Sequence, residues 1–247
     1  MEQNLYECLV RNKNLQPRQV KIYMYQLLKS IEYIHSKGIF HRDIKPENVL
    51  ISGDSIKLAD FGSCKGIYSK QPYTEYISTR WYRAPECLMT DGYYDSKMDI
   101  WGYGCVLFEM IAKFPLFNGK GELDQIHKIN KVLGTPKQSL IDLFKSRATH
   151  MSQNDFNFPQ KKGVGFEKLL PNGPKELIDI LYKLLAYDPA ERITAKEALN
   201  HEFFSDITTE KFRTTIFGGP HSGSLNKAVE HDDTPEKSTK IKKKNRG

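Results

Sequence analysis

The stretch His41-Arg42-Asp43-Ile44-Lys45-Pro46-Glu47-Asn48 is the part of the sequence that decides the fold. Asp60-Phe61-Gly62 begins twelve residues after Asn48, and Ala84-Pro85-Glu86 closes the segment. Written as patterns, these are H-R-D-x-K-x-x-N, D-F-G and A-P-E, in that order along the chain. Three such motifs in this order are too specific to occur by chance in loops without a function, so they indicate one functional segment.

Phosphoryl transfer would explain the residue types in these motifs. One carboxylate must accept the proton of the attacking hydroxyl, which suits Asp43, and Lys45 beside it can neutralise charge on the moving phosphoryl group. Oxygen ligands must hold Mg²⁺ on the phosphates, which suits Asn48 and Asp60. The motifs therefore predict a base and a neighbouring cation beside two metal ligands.

The three motifs resemble the catalytic segment of eukaryotic protein kinases. The loop before A-P-E holds Thr74-Glu75-Tyr76 and then Ser78-Thr79-Arg80-Trp81-Tyr82-Arg83. This T-x-Y pair and the T-R-W-Y-R-A-P-E run resemble the CMGC group, which contains the MAP kinases and the cyclin-dependent kinases. The Ser63-Cys64-Lys65 run after D-F-G narrows the resemblance to one branch of that group. The resemblance implies a mainly α fold, the large C-terminal lobe of a protein kinase, with a short β-hairpin at the catalytic cleft.

The resemblance also implies a reaction, in which the γ-phosphoryl group of ATP passes to Ser or Thr hydroxyls of protein substrates with Mg²⁺ as the metal. In this family, Lys45 and Thr79 favour Ser and Thr over Tyr substrates, and the run 76–80 suggests a proline after the target residue. The residue matching Leu50 lies under the adenine ring, although plain core packing would explain Leu50 equally well. The implied nucleotide-binding residues are Asn4, which would lie near the ribose, Glu47 and Leu50.

The cations around the T-E-Y loop give a physical reason for regulation by phosphorylation. A phosphate adds about −1.5 to −2 charges and strong acceptor oxygens, so it can order a loop against such cations. An upstream activating kinase or autophosphorylation would supply it, and an ordinary exposed Thr and Tyr are the alternative. The pairs implied by the resemblance are Thr74 with Arg42 and Lys65, and Tyr76 with Arg80 and Arg83.

Kinases also need a Gly-rich loop over the ATP phosphates and a Lys from a preceding strand. Only forty residues precede His41, and the G-x-G runs that follow, such as Gly119-Lys120-Gly121, do not continue to a third Gly. The sequence therefore predicts a large lobe without the small β-rich N-terminal lobe. It also predicts that this chain alone binds ATP poorly and transfers no phosphoryl group detectably. A catalytically inactive short form that acts as a docking or binding module is the alternative.

Several segments outside the motifs predict the supporting structure. Apolar residues at helical spacing predict a helix that begins at Gln16-Pro17-Arg18-Gln19 and stops at Gly38. An apolar run from Ser96 to Met110 predicts a buried helix. Short apolar runs around Ser52-Gly53-Asp54-Ser55 predict a hairpin, and Thr194 with Glu197 fits a capping box. By resemblance, three residues are structural: Asp99, which accepts backbone hydrogen bonds from the catalytic loop, and Glu86 and Arg192, which pair.

The domain organisation follows from the same reading. Residues 1–206 are interpreted as the kinase C-lobe, with 113–171 as a CMGC-type insert that is either a partner-docking surface or a filler loop. Residues 207–247 are interpreted as a disordered basic tail, because Gly, Ser, Asp and Lys dominate there. The run Lys237–Arg246 could be a nuclear-import address, a weak binder of anionic surfaces, or simply solvated.

Composition limits the function classes. The net charge of +7 includes +3 from residues 221–247, so the remainder is spread thinly and does not favour nucleic-acid binding. The sequence lacks a secretory signal and a long apolar span. The four cysteines, with no C-x-x-C pair, are typical of reduced thiols in an intracellular protein. A cytoplasmic protein is therefore predicted, with a nuclear location as the alternative, and with no membrane span and no nucleic-acid partner.

Overall fold

The computed structural model describes residues 3–11, 15–73 and 79–207. These residues form nine α-helices and five short strands, which confirms the prediction of a mainly α fold with a short β-hairpin. The helices are α1 (Leu5–Arg11), α2 (Pro17–Ser36), α3 (Pro85–Met89), α4 (Lys97–Ala112), α5 (Glu122–Leu133), α6 (Gln138–Lys145), α7 (Phe166–Leu169), α8 (Lys175–Leu184) and α9 (Ala195–Leu199). The strands are β1 (Gln3–Asn4), β2 (Ile39–Phe40), β3 (Val49–Ser52), β4 (Ser55–Leu58) and β5 (Lys65–Gly66).

Helix α2 carries the apolar face that the sequence period predicted. Pro17 occupies the first turn, where a missing N–H costs no helical hydrogen bond. The helix ends before Gly38, whose φ of 74° lies in the left-handed region that favours glycine. The inward face packs α2 against β4, α4 and α9. Its buried residues include Val20, Tyr23, Met24, Leu27, Ile31 and Ile34.

Helix α4 lies at the centre of the core. Every residue from Met98 to Met110 is buried, as the apolar sequence predicted. Gly102 lets the helix approach the catalytic loop closely, because a Cβ at this position would lie 3.0 Å from the carbonyl oxygen of Ile44. This packing places the first turn of α4, with Asp99, directly beneath the loop.

Two antiparallel ladders hold both ends of the catalytic loop, residues 41–48. The predicted hairpin is present as β3 and β4, with Val49 opposite Leu58, and β1 adds a third strand on the other side of β3. β2, which leads into the loop, pairs with β5 so that Phe40 lies opposite Lys65. The loop therefore runs from one ladder into the other.

The segment 113–171 contains more helix than the sequence indicated. The sequence predicts a helix over Asp124–Leu133, and α5 begins two residues earlier. Helix α6 was not predicted, because its eight residues give too short a period to recognise. Further along, the capping box is present: Thr194 Oγ1 accepts from the Glu197 N–H, and Glu197 Oε2 accepts from the Thr194 N–H.

Within the described ranges, no helix has the length and apolar character needed to cross a membrane.

Candidate active site

Asp43 is held by two side chains of its own loop. Lys45 Nζ donates to Asp43 Oδ2 at 2.8 Å, and Asn48 Nδ2 donates to the same oxygen at 2.9 Å. Asn48 Nδ2 also donates to the Asp43 carbonyl oxygen at 2.9 Å. A 3₁₀ turn over Pro46–Asn48 brings these residues back toward Asp43. The predicted base, its neighbouring cation and one predicted metal ligand therefore form one cluster.

The two predicted metal ligands lie at the same end of the hairpin. Asn48 uses its amide nitrogen for both bonds to Asp43, so its Oδ1 is the atom suited to a cation. The Ala59 N–H donates to the Asn48 carbonyl oxygen at 2.9 Å, which brings the residue before Asp60 beside Asn48. Asp60 is exposed and has a φ of 63°, and the next ring, Phe61, packs edge-on against His41 with centroids 5.2 Å apart.

The Asp99 carboxylate fixes the backbone at the start of the loop. The His41 N–H donates to Asp99 Oδ2 at 2.7 Å and the Arg42 N–H to Oδ1 at 2.8 Å. His35 Nε2 lies 2.8 Å from Oδ2. Arg42 has a φ of 72°, a conformation that costs a non-glycine residue free energy and persists only when its surroundings enforce it. Asp99 is 1% exposed and supplies that enforcement.

Glu86 and Arg192 form a bidentate ion pair in the interior. Nη1 lies 2.7 Å from Oε1 and Nη2 lies 3.0 Å from Oε2, and both side chains are almost fully buried. Arg192 also donates to the carbonyl oxygens of Lys97 and Ala186, and its guanidinium lies 5.1 Å from the Trp101 ring centroid. These partners satisfy both charges, which is the condition for burying them.

The Arg42 side chain is directed into the protein. Its Nη1 donates to the Tyr94 hydroxyl at 3.0 Å, and its Nε donates to the Ser63 carbonyl oxygen at 2.5 Å. The residue is 6% exposed. Thr74 and Tyr76, the two predicted phosphorylation sites, lie outside the described residues.

The other predicted regulatory cations have different surroundings. Lys65 is exposed on β5, and Arg80 Nε is buried without a hydrogen-bond partner among the described residues. Arg83 is buried, with Nη1 3.7 Å from Glu122 Oε1 at the start of α5. Thr79 is exposed and directly precedes the 3₁₀ turn Arg80–Tyr82.

The predicted nucleotide-binding residues lie on and beside the three-stranded sheet. Asn4 and Glu7 bond reciprocally: Asn4 Oδ1 accepts from the Glu7 N–H at 2.8 Å, and Glu7 Oε2 accepts from the Asn4 N–H at 3.2 Å. Asn4 therefore caps α1, a task that the N-x-x-E spacing could have revealed. Leu50 is half-buried opposite Asn4, and Glu47 is half-buried with Oε2 enclosed and unpartnered among the described residues.

Sequence reasoning missed a buried carboxylate on α4. Glu109 is 5% exposed, and its Oε2 accepts from the Tyr82 hydroxyl at 2.7 Å. Burial raises the pKa of Glu109, against the effect of the Tyr82 hydrogen bond, and burial also raises the pKa of Tyr82. An acidic residue inside an otherwise apolar helix was the available signal.

The activation segment, residues 63–83, is also attached to α5. Trp81 Nε1 donates to the Gly119 carbonyl oxygen at 3.1 Å, and Gln125 Nε2 donates to the Trp81 carbonyl oxygen at 3.3 Å. Gln125 is fully buried and accepts from the Gly119 N–H at 2.8 Å. The turn Arg80–Tyr82, at the C-terminal end of the segment, therefore packs on residues 119–125 as well as on α4.

The family model of the protein kinase domain matches residues 1–204, so the chain belongs to the protein kinase family. It is 54% identical over 209 residues to the human MAPK/MAK/MRK overlapping kinase, covering 83% of this chain and 48% of that protein. It is 43% identical over 206 residues to the human serine/threonine-protein kinase MAK, covering 83% of this chain and 33% of that protein.

A plant relative extends the same pattern. The chain is 41% identical over 209 residues to cyclin-dependent kinase F-4 of Oryza sativa subsp. japonica, covering 84% of this chain and 45% of that protein. The resemblance to the CMGC group is thereby confirmed, and the branch indicated by T-E-Y and S-C-K is that of the MAPK/MAK/MRK overlapping kinase. The chain spans about half the length of that relative and less of the others.

Proposed function

We propose that this protein is a serine/threonine kinase that transfers the γ-phosphoryl group of ATP to hydroxyl groups of protein substrates. The hydrogen-bonded cluster of Asp43, Lys45 and Asn48 carries the proposal. Asp43 would accept the proton of the attacking hydroxyl, since its carboxylate is held in one orientation. Lys45, bound to the same carboxylate, would accompany the transferred phosphoryl group, and Thr79 would help to position the catalytic residues.

ATP and Mg²⁺ fit the donors at this cleft. Among the described residues no three His, Cys, Asp or Glu side chains gather into a metal cluster, so a cation here would have few protein ligands. Mg²⁺ is bound in this way, through one or two protein oxygens together with phosphates and water. Asn48 Oδ1 and the Asp60 carboxylate would hold it, and when bound it would neutralise phosphate charge. Asn4, Glu47 and Leu50 are the residues proposed to contact the nucleotide.

Two finer features belong to the same proposal. Phosphorylation of Thr74 and Tyr76 would regulate the enzyme, with the phosphates bound by Arg42 and Lys65 and by Arg80 and Arg83 respectively. Targets followed by proline would be preferred. The resemblance of the segment to that of the MAP kinases supports both features, and an upstream kinase or the protein itself would supply the phosphates.

The test uses the protein expressed from its own locus, so that all of its natural sequence is present. Phosphoryl transfer from ATP to paired peptides, one with Ser-Pro and one with Ser-Ala, is measured for the natural protein, for Asp43→Asn and for Asp54→Asn. Loss of the base should lower the rate about 10²–10⁴-fold. Asp54 lies exposed in the hairpin turn, so Asp54→Asn should transfer normally. Equal rates for Asp43→Asn and the natural protein would contradict the proposal.

A binding module is the second candidate, because the 247 residues contain no G-x-G-x-x-G run to cover the phosphates. The same phosphoryl-transfer assay distinguishes the kinase from the binding module. A native protein that transfers no phosphoryl group, yet competes with an active relative for its protein substrates, would support the module. Transfer that depends on Asp43 would exclude it as the main function.

A further inference from the structure

Tyr94 is a buried tyrosine that lies between A-P-E and α4 and has no part in the functions described above. It is 4% exposed, and its ring packs against Phe40 at 6.4 Å and against Tyr73 at 5.3 Å between centroids. Gln71 Nε2 donates to the Tyr94 carbonyl oxygen at 2.7 Å. The position of the ring is therefore fixed by β2 and by the activation segment.

The hydroxyl of Tyr94 is set against Arg42. Arg42 Nη1 donates to it at 3.0 Å, while Nε of the same guanidinium donates to the Ser63 carbonyl oxygen at 2.5 Å. Burial raises the pKa of Tyr94 to about 12 in spite of the lowering effect of Arg42, so the phenol is uncharged at neutral pH and accepts this bond. Two bonds from different atoms of a planar group fix both its place and its plane.

This anchoring leaves the Nη2 donors of Arg42 outside both bonds. A guanidinium carries five N–H donors in a rigid fork, and phosphate oxygens bind such a fork in a fixed geometry. Tyr73, which packs on Tyr94, is the residue directly before Thr74, and its N–H donates to the Gly92 carbonyl oxygen at 2.9 Å. The tyrosine that holds Arg42 is thus also in contact with the chain that leads to T-E-Y.

We propose that Tyr94 is a positioning residue that holds the Arg42 guanidinium ready to bind a phosphate monoester on the activation segment. The inference rests on the proposed regulation by phosphorylation and adds a residue to it. Without the Tyr94 hydroxyl, the buried guanidinium loses one of the two acceptors that it has among the described residues, and it must reorient to recover a partner. Phosphate binding by Arg42 would then include the cost of ordering that side chain.

The test is a ³¹P NMR pH titration of the 247-residue chain carrying phosphothreonine at position 74. Contact with a guanidinium favours the dianion, so in the otherwise unchanged chain the second pKa of the phosphate should lie below its ordinary value of about 6. Arg42→Gln should return the pKa to the ordinary value. Tyr94→Phe should move it most of the way there, although the substitution does not touch the phosphate.

Tyr73→Phe is the matched control. It removes a hydroxyl from the same aromatic cluster, one that donates to the Ser69 carbonyl oxygen at 2.8 Å, and it leaves the contacts of Arg42 in place. The phosphate pKa of Tyr73→Phe should equal that of the unsubstituted chain. A shift in Tyr73→Phe as large as that in Tyr94→Phe would overturn the inference, because general loosening of the cluster would then explain both.

The remaining outcomes separate the inference from the function on which it rests. If Arg42→Gln leaves the titration unchanged, the phosphate contact itself is wrong and the inference falls with it. If Arg42→Gln shifts it and Tyr94→Phe does not, only the inference is overturned. ¹⁵N spectra of the unsubstituted phosphorylated chain give a check that requires no variant to fold. Separate, slowly exchanging Nη signals of Arg42 are expected, and a single averaged signal would contradict a fixed guanidinium.

Discussion

The buried carboxylates of Asp99 and Glu86 differ from the Asp43 carboxylate of the catalytic loop in how far along the sequence their partners lie. Asp99 binds residues 57, 58 and 64 positions away in sequence, and Glu86 binds a residue 106 positions away. Asp43 is bound by residues two and five positions away. Asp99 and Glu86 therefore join separate elements of the fold, while Asp43, the proposed base, belongs to a local cluster. Stability and chemistry can be altered separately in such a molecule.

The largest effect on stability is expected where a buried charge loses its partner. Arg192→Met would leave Glu86 buried without a counter-ion and should lower the free energy of unfolding by about 3–5 kcal/mol. Urea denaturation followed by circular dichroism measures the change.

The matched control for this change is an exposed ion pair. Lys137 Nζ lies 3.2 Å from Glu191 Oε1, with both side chains more than half exposed. Lys137→Met should cost less than about 1 kcal/mol. If Arg192→Met and Lys137→Met lower the free energy of unfolding by similar amounts, the distinction between buried ion pairs that join elements and exposed ion pairs is wrong.

The next effect compares one substitution in the two regions. Asp99→Asn keeps the shape but offers one oxygen where three N–H groups now meet a carboxylate, so about 2–3 kcal/mol of stability should be lost. Asp43→Asn should cost less, about 1 kcal/mol, because its partners Lys45 and Asn48 lie on the same loop and the amide keeps an oxygen that can accept from them. Thermal unfolding of both variants gives the difference.

Amide hydrogen exchange makes the same comparison at residue level. In Asp99→Asn, the His41 and Arg42 N–H groups should exchange faster, because they lose the carboxylate that accepts them. In Asp43→Asn they should remain protected. Equal protection in the two variants would show that Asp99 does not enforce the strained Arg42 backbone.

Local sequence patterns predicted the parts of this structure that depend on local physics. The period of apolar residues gave α2, and the Thr194–Glu197 spacing gave the capping box. The Asn4–Glu7 pair is equally local and could have been recognised. In the candidate site, the motif itself contains Asp43, Lys45 and Asn48, so their cluster follows from a stretch of eight residues.

Contacts between residues far apart in the sequence could not be predicted from local sequence patterns. Tyr94 meets Arg42 across 52 positions, and Tyr82 meets Glu109 across 27. Neither pair has a spacing that any secondary-structure period connects, since each depends on how α4 packs beneath the loop. The Asp99 contacts and the Glu86–Arg192 pair were expected only because the chain resembles protein kinases. The fold was therefore more accessible from sequence than the partners of its buried polar groups.

The smallest expected effect concerns Glu109, and it tests how many hydrogen-bond donors a buried carboxylate requires. Glu109 lies on the same helix as Asp99, but among the described residues its carboxylate has a single donor, Tyr82. Burial raises the Glu109 pKa above its ordinary value of 4.5, and nearby Glu47 adds to the rise. The folded state therefore holds this proton more tightly than the unfolded state. Its contribution to stability is complete below pH 4.5 and is lost as the pH rises through the raised pKa.

Glu109→Gln should remove that pH dependence, because the amide carries no charge and its oxygen can still accept from Tyr82. At pH 7 the variant should be more stable than the natural chain by on the order of 1 kcal/mol. Tyr82→Phe should act in the opposite direction, steepening the loss of stability above pH 4.5, since it removes the donor that offsets burial. Urea unfolding between pH 4 and 8 measures both slopes. If Glu109→Gln destabilises the chain at pH 7 as Asp99→Asn does, the number of donors is not what separates the two carboxylates. Helix α4 would then tolerate a single-donor charge as well as one that binds three.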